Sequence, residues 1–147
     1  VDMLDAAIRR YPGDKYVDII GWDRYSHPIK YKSGLERDCD QLLPFVHEHS
    51  KLAVLGETGI MNGLEVLNDW PRNFSFVSDF ADVLIGPNRN LNCSQIAYAH
   101  TWANYNDNRY WVPLQGQVTY DSFANMSNLD NVLFSSSRLW AEIIQSL

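Results

Sequence analysis

Three short apolar runs, separated by stretches with helical spacing, are the feature that most limits how this 147-residue chain can fold. The runs cover residues 16–22, 51–56 and 95–102, and each is rich in β-branched or other apolar residues. Runs of this length with nearly continuous hydrophobicity are typical of parallel strands that are covered on both faces. The pattern therefore predicts a parallel sheet with helices packed against it.

Helical patterns lie before, between and after the three predicted strands. They show apolar residues at helical spacing and fall within residues 3–10, 36–50, 76–84, 121–126 and 139–144. Pro44 lies inside the second pattern and is expected to kink that helix or to restart it. The resulting order, α-β-α-β-α-β-loop-α, predicts βαβ units in an α/β fold. An open doubly wound sheet and a closed barrel both fit this order.

Composition and charge exclude several classes of function. A net charge near −6, with twelve scattered basic residues, argues against a nucleic-acid-binding surface. No apolar run approaches the roughly 18 residues needed to span a bilayer, so we expect no membrane span. The chain has no Walker A, G-x-G-x-x-G or G-x-S-x-G motif, and its histidines and cysteines lack metal-ligand spacing. We therefore expect no cofactor and no metal ion. Cys39 and Cys93 could form one disulfide or remain two separate buried thiols.

Polar or aromatic residues end each predicted strand, in the sequences GWDRY, GETG and HTWAN. Because side chains alternate between the two faces of a strand, every second residue is expected to share a face. The three predicted sets are Val17, Ile19, Gly21, Asp23 and Tyr25, then Ala53, Leu55 and Glu57, then Ile96, Tyr98, His100 and Trp102. In a parallel barrel the active site lies at the carboxyl ends of the strands. The residues expected to converge there are Asp23, Tyr25, Glu57, His100 and Trp102.

A carboxylate beside a tyrosine hydroxyl and a tryptophan ring suits glycoside cleavage. The transition state of that reaction is oxocarbenium-like, and a carboxylate such as Glu57 can stabilise or attack it. A hydrogen bond from Tyr25 would hold the carboxylate ionised, while Trp102 would stack on a sugar. We interpret Gly56 and Gly59 as allowing a sharp turn of the strand that leaves Glu57 open to substrate.

The segments YPGDKYVDIIGWDRY, LGETG, TWAN and YWVPLQGQVTYDSF together resemble glycoside hydrolase family 26, whose members are chiefly β-mannanases. The resemblance extends over nearly the whole chain. It implies a (β/α)8 barrel and a retaining mechanism, with the three strands here as the sixth, seventh and eighth of the barrel. It further implies that Glu57 is the catalytic nucleophile. The residues that it places around the scissile sugar are Asp23, Tyr25 and Trp102.

Two departures from the family pattern affect the predicted site. Ala103 stands where the family often has an arginine, which leaves the contacts beside Trp102 open. The family's acid/base glutamate belongs to a His-Glu motif at the end of the fourth barrel strand, before the part that this chain resembles. His47-Glu48 looks similar, but it lies in a predicted helix and no Asn-Gly follows it. We therefore expect the acid/base residue outside the chain.

A barrel of this type needs roughly 250 residues, so residues 1–147 are expected to be part of a family 26 catalytic domain. This C-terminal portion of a (β/α)8 TIM barrel is expected to be inactive alone and to expose strand edges. The complete protein is expected to be a monomeric endo-1,4-β-mannanase that hydrolyses β-mannan or manno-oligosaccharides.

The sequence is less specific about location and substrate. N-x-Ser sequences at Asn73, Asn92 and Asn125 are a weak indication of secretion, so we expect a secreted, cell-surface or periplasmic protein. One alternative is a non-catalytic carbohydrate-binding or vestigial domain, since the same aromatic strand ends could hold a glycan without cutting it. Within the family, the alternatives are a β-1,3-xylanase and a mixed-linkage β-glucanase.

Overall fold

The computed structural model, which describes residues 2–69, 74–106 and 108–145, is an α/β structure built on a parallel sheet. The strands, in the order β1-β2-β3 across the sheet, are Ile19–Ser26, Leu52–Ile60 and Ile96–Thr101. The helices are α1 (Met3–Arg10), α2 (Pro28–Glu48), α3 (Asp82–Leu84), α4 (Tyr120–Ser127) and α5 (Arg138–Gln145). A π-helix, Phe76–Ala81, runs directly into α3, and short 3-10 helices cover Asp14–Tyr16, Leu64–Asp69 and Cys93–Gln95. The predicted α/β order is confirmed. Asn73, the first predicted sequon, lies outside the described residues.

The first two strands are longer at their carboxyl ends than the apolar runs predicted. β1 continues to Ser26 and β2 to Ile60, so the polar residues expected to follow these strands lie inside them. The two strands remain paired over this stretch, from Asp23 opposite Glu57 to Ser26 opposite Ile60. Hydrophobicity marks the buried part of a strand rather than its hydrogen-bonded length, which explains the difference.

Helix α2 covers one face of the sheet and begins two turns earlier than predicted. Pro28 is in its first turn, where the missing amide proton of proline costs no helical hydrogen bond. The helix continues through Pro44 to Glu48, so the predicted restart at Pro44 does not occur. The core forms between α2 and the sheet, and its fully buried members include Tyr31, Leu35, Leu42, Leu43, Leu55 and Ile60.

A buried ion pair joins β1 to α2 within this core. Arg24 Nε donates a hydrogen bond to Oδ2 of Asp38 at 2.5 Å, and Nη2 donates to Oδ1 of the same carboxylate. The Asp38 side chain is fully buried, and that of Arg24 is 15% exposed. The sequence analysis assigned no role to Arg24 or Asp38. Here the planar guanidinium binds both carboxylate oxygens and fixes the helix against the strand.

A disulfide between Cys39 and Cys93 ties α2 to the segment that leads into β3. Both cysteines are buried, and their Cα atoms lie 5.1 Å apart. Of the two alternatives that the sequence left open, the structure has the bridge.

Removal of the bridge by the double substitution Cys39→Ser and Cys93→Ser is expected to destabilise the protein by about 2–4 kcal/mol. The physical reason is that the bridge closes a loop across a sequence separation of 54 and so restricts the unfolded chain. Urea unfolding of the double variant against the oxidised protein measures this difference. A disulfide-linked peptide containing both cysteines should be found by mass spectrometry without reductant, and two free thiols at these positions would contradict the assignment.

Within the described residues the sheet has open edges, and its face turned away from α2 is covered only in part. There, β1 and β3 each pair with β2 alone. Ile19, Leu52 and Tyr98, on the face turned away from α2, are 47%, 59% and 54% exposed. This is the arrangement expected for part of a barrel, because the inner face of a barrel sheet is covered only when the barrel closes. None of the described helices is long and apolar enough to cross a membrane.

Candidate active site

The position of Glu57 depends on a β-bulge that the sequence analysis did not predict. Trp22 pairs with Leu55 and Asp23 pairs with Glu57, so β2 has one extra residue, Gly56, at this point. Leu55 therefore faces α2 with Trp22, whereas Glu57 faces the opposite side with Asp23. The predicted common face of Ala53, Leu55 and Glu57 is wrong, since Ala53 and Leu55 belong to the core. The predicted convergence of Glu57 with the β1 carboxyl end is nevertheless found.

The glycines near Glu57 serve close packing rather than a turn. The strand β2 continues through Glu57 to Ile60, and neither Gly56 nor Gly59 has a positive φ. A Cβ atom on Gly56 would lie 3.2 Å from Oδ1 of Asp23, and one on Gly59 would lie 2.4 Å from Cδ1 of Trp111. The interpretation of a sharp turn is therefore wrong. These glycines leave room for Asp23 and Trp111 on the same face of the sheet as Glu57.

Tyr25 and Glu57 form the contact at the centre of the site. The hydroxyl of Tyr25 donates a hydrogen bond to Oε2 of Glu57 at 3.1 Å. Burial raises the pKa of Tyr25 well above its usual value, and the hydrogen bond and negative charge of Glu57 raise that pKa further. Tyr25 therefore stays protonated and donates a hydrogen bond to the carboxylate. Glu57 itself is half-buried, so its carboxylate remains accessible.

The residues of β3 are divided between the two faces of the sheet in a different way from the prediction. Ile96 and Ala99 pair with the core-facing residues Ala53 and Leu55, so Ile96 does not share a face with Tyr98 and His100 as predicted. The reason is that β3 has one extra residue between Ile96 and Ala99, opposite Ala53 and Leu55 of β2.

The predicted site residues are thus only partly joined by direct contacts. Trp102 follows β3, is 39% exposed and donates its indole N–H to the hydroxyl of Tyr105 at 3.1 Å. Among the described residues, no hydrogen bond links Asp23, His100 or Trp102 to Glu57. Asp23 lies beside Glu57 through its place in the strand register.

Two further residues shape the site and were missed by sequence reasoning. Trp111 is buried, donates its indole N–H to the carbonyl of Ile60 at 2.9 Å, and packs edge-on against Tyr25 with ring centroids 6.3 Å apart. Asn104 accepts the amides of Trp111 and Val112 at 2.9 and 3.0 Å and donates to the carbonyl of Val112 at 2.7 Å. Trp111 lies in YWVPLQGQVTYDSF and Asn104 in TWAN, but neither motif indicated this contact.

Substitution Gly59→Ala is expected to displace Trp111 and to destabilise the protein by about 1–3 kcal/mol. The new methyl group would overlap a buried indole that cannot rotate away without losing its hydrogen bond to Ile60. Chemical unfolding measures the loss, and the tryptophan emission spectrum of the protein, to which Trp111 contributes, should shift.

Gly34→Ala is the matched control for this prediction. The closest atom to a Cβ on Gly34 is Oγ of Ser26 at 3.4 Å, an ordinary contact, and alanine is the better helix former. We expect Gly34→Ala to leave the stability unchanged or to raise it by up to about 1 kcal/mol. Equal stability of the two variants would contradict the packing described for Trp111.

No group of three or more His, Cys, Asp or Glu side chains that could hold a metal ion occurs within residues 2–69, 74–106 and 108–145. The described groups that bear on chemistry are a carboxylate with a tyrosine donor and aromatic rings around it. Such a carboxylate can act as a nucleophile or stabilise a nearby positive charge. Apolar faces of sugars can stack on the rings, so the arrangement fits a carbohydrate better than a phosphate or a peptide.

Glu48, in the dipeptide that looks like the family's acid/base motif, does not lie where a catalytic acid would have to be. It is the last residue of α2, immediately before β2, and is exposed. In a βαβ unit this places Glu48 at the amino end of β2, whereas Glu57 lies toward the carboxyl end. The rejection of His47-Glu48 as an acid/base motif agrees with this geometry.

Comparison with known proteins gives one family and several related structures. Residues 1–108 match the model of glycosyl hydrolase family 26. A search of curated protein sequences found no match. A modular endo-β-1,4-mannanase from Cellulomonas fimi is 28% identical, with a TM-score of 0.71 over 90% of this chain. The catalytic domain of a family 26 endo-β-1,4-mannanase from Bacillus sp. JAMB-750 is 27% identical, with a TM-score of 0.64 over 89%.

A family 26 β-mannanase from Bacteroides ovatus is 24% identical, with a TM-score of 0.66 over 94% of this chain, and supports the fold alone. The chain spans 29% of the Cellulomonas fimi structure, 36% of the Bacillus structure and 37% of the Bacteroides ovatus structure. It therefore corresponds to about a third of each relative. The three-stranded sheet matches part of their (β/α)8 barrel, as the sequence analysis predicted.

Proposed function

Because the chain belongs to glycosyl hydrolase family 26, we propose that it supplies the nucleophile and part of the substrate site of an endo-1,4-β-mannanase. The observation that carries this proposal is the hydrogen bond from Tyr25 to Glu57. A glycosidase nucleophile must be ionised, accessible and held in one orientation. A tyrosine donor whose own proton is tightly held satisfies the first and third of these needs.

The proposed reaction proceeds with retention of configuration. Glu57 attacks the anomeric carbon of a mannosyl unit, and the bond between that carbon and the leaving oxygen breaks. A second carboxyl group donates a proton to the leaving oxygen. Water then gives up a proton to that second group and attacks the anomeric carbon, which releases Glu57 as a carboxylate. Tyr25 orients Glu57 throughout, and Asp23 and Trp102 contact the sugar that is attacked.

The second carboxyl group is proposed to come from outside these 147 residues. Retaining enzymes place their two carboxyl groups about 5–5.5 Å apart, and Glu48 lies toward the wrong end of β2. The open edges of β1 and β3 offer places where further barrel strands could pair and bring such a group to Glu57. An open cleft of about 470 Å³ lies between α1 and β1, with Met3, Ile19 and Trp22 in its lining. This cleft supports the proposal that a further part of the barrel packs along the β1 edge.

We also propose that the complete protein works outside the cytoplasm. A disulfide between two buried cysteines persists best in an oxidising compartment. A polysaccharide substrate, too large to be taken up whole, is consistent with the same location. Asn125 in the third sequon is exposed on α4, which leaves it open to a glycan if the producing cell adds one.

Incubation of the complete protein with β-mannan, glucomannan, β-1,3-xylan and mixed-linkage glucan tests the proposed function. We expect internal cleavage of the mannans, with the β-anomer as the first product seen by NMR. The 147-residue chain alone is expected to show no turnover. Cleavage of xylan or glucan alone would contradict mannan as the substrate and favour one of those polysaccharides instead. Binding without any cleavage would favour a carbohydrate-binding domain.

A further inference from the structure

Tyr105 is an exposed aromatic residue beside the candidate site, and both its backbone amide and its hydroxyl are hydrogen-bonded. It is 65% exposed. Its backbone amide donates to the carbonyl of Arg109 at 2.9 Å, and the Arg109 amide donates to the carbonyl of Asn106 at 3.1 Å. These bonds join the backbone of Tyr105 and Asn106 to that of Arg109. A large ring that is presented to solvent from an ordered backbone loses little entropy when a ligand packs on it.

The neighbours of the Tyr105 ring belong to the candidate site. Its hydroxyl accepts the indole N–H of Trp102 at 3.1 Å, and its ring meets that of Trp111 edge-on with centroids 6.2 Å apart. Trp111 packs in turn against Tyr25, which binds Glu57. Along this series of contacts Tyr105 lies farther from Glu57 than Trp111 does.

The hydrogen bond between Trp102 and Tyr105 has a consequence for both rings. The indole N–H of Trp102 is satisfied within the protein, so a ligand meets its apolar ring face. The hydroxyl of Tyr105 is fixed at its acceptor side, which limits rotation of that side chain. Ala103, between the two in sequence, is small and exposed, so it offers no long side chain that would compete for this surface.

We propose that Trp102 and Tyr105 form a two-ring sugar platform, in which Tyr105 binds a sugar unit beyond the one that Glu57 attacks. This inference rests on the proposed function and extends its substrate site outward. The apolar C–H faces of a pyranose stack on aromatic rings, and a polymer that binds across several units presents such faces in sequence. Tyr105 would then determine how strongly the enzyme prefers long chains over short ones.

Affinity for manno-oligosaccharides of two to six units, measured by calorimetry on the complete protein, tests the platform. Tyr105→Ala is expected to weaken binding about three- to tenfold once the oligosaccharide is long enough to reach the ring. The loss should be smaller for Tyr105→Phe, which keeps the ring but not the hydroxyl. The same length dependence should appear in KM when turnover is measured.

Tyr16→Ala is the matched control. Tyr16 is 66% exposed, nearly the same as Tyr105, but it ends the 3-10 helix that precedes β1 and so lies at the opposite end of the sheet. Its removal is expected to leave affinity unchanged at every length. Circular dichroism of all variants confirms that each has folded.

The outcomes separate this inference from the proposed function. Equal weakening at all lengths, or no difference between Tyr105→Ala and Tyr16→Ala, would overturn the platform. Failure of the wild-type protein to bind any manno-oligosaccharide would overturn it as well. Length-dependent binding that needs Tyr105, without hydrolysis of any mannan, would support the platform and contradict only the proposed enzyme activity.

Discussion

Replacement of Glu57 by alanine is expected to lower turnover of mannan by the complete protein by roughly 10⁴-fold or more, with little change in folding or in mannan binding. The physical reason is that the substitution removes the group that forms the covalent bond to the anomeric carbon, and no other carboxylate is hydrogen-bonded to Tyr25 within the described residues. Glu57 is half-buried and makes no ion pair within the described residues, so its loss leaves no unpaired buried charge. Measurement of kcat and of oligosaccharide affinity separates catalysis from binding.

Glu48→Ala is the control for this experiment, because Glu48 is an exposed glutamate toward the other end of β2. We expect its activity to match that of the unsubstituted protein. A slow substrate with fluorine at carbon 2 should leave a glycosyl group on the peptide that contains Glu57, since the fluorine destabilises the oxocarbenium-like state through which the intermediate breaks down. Full activity of Glu57→Ala, or a label on another residue, would refute the nucleophile assignment.

Asp38→Ala is expected to destabilise the protein by about 3–5 kcal/mol, more than any other substitution considered above. It would leave the Arg24 guanidinium, only 15% exposed, without its carboxylate partner. The remaining hydrogen bond of Arg24, to Oγ of Ser26 at 3.3 Å, is too weak to replace two charged ones. Urea unfolding gives the difference in free energy. Because Arg24 lies between Asp23 and Tyr25 in β1, activity should fall as well.

Two further variants show how much of the lost stability comes from leaving the buried Arg24 without its partner. The exposed pair of Arg9 and Asp5 has an N–O distance of 2.7 Å, and Asp5→Ala is expected to cost less than about 1 kcal/mol because water screens it. The double variant Arg24→Met and Asp38→Leu should be more stable than Asp38→Ala, since it buries no unpaired charge. A cost for Asp38→Ala as small as that for Asp5→Ala would show that the buried pair does not hold α2 to β1.

Local sequence patterns were sufficient to predict the order of the strands and helices. Continuous apolar runs predicted β1, β2 and β3 because burial on both faces requires them. The polar residues after each run predicted Glu57 near the β1 carboxyl end because parallel strands end on the same side of a sheet. The start of α2 was missed, since its first two turns carry few apolar residues to mark the period.

Alternation along a strand could not place Glu57 correctly, because the bulge at Gly56 exists only in the pairing of two strands. Beyond a bulge, the side of the sheet to which each side chain points depends on how the strand pairs with its neighbour. Local sequence does not contain that pairing. In the same way, Gly59 and Trp111 are 52 positions apart in the sequence, and only their contact explains why a side chain is absent at residue 59.

The sequence by itself thus determined the order of the strands and helices and the positions of the polar residues near the strand ends. It could do so because hydrophobicity and charge are properties of single residues. The contacts that hold the site together were decided by the tertiary structure. The Arg24–Asp38 pair, the Cys39–Cys93 bridge and the packing of Trp111 on Tyr25 each join different segments of the fold. Such contacts depend on how helices and strands pack in three dimensions, so no local pattern predicts them.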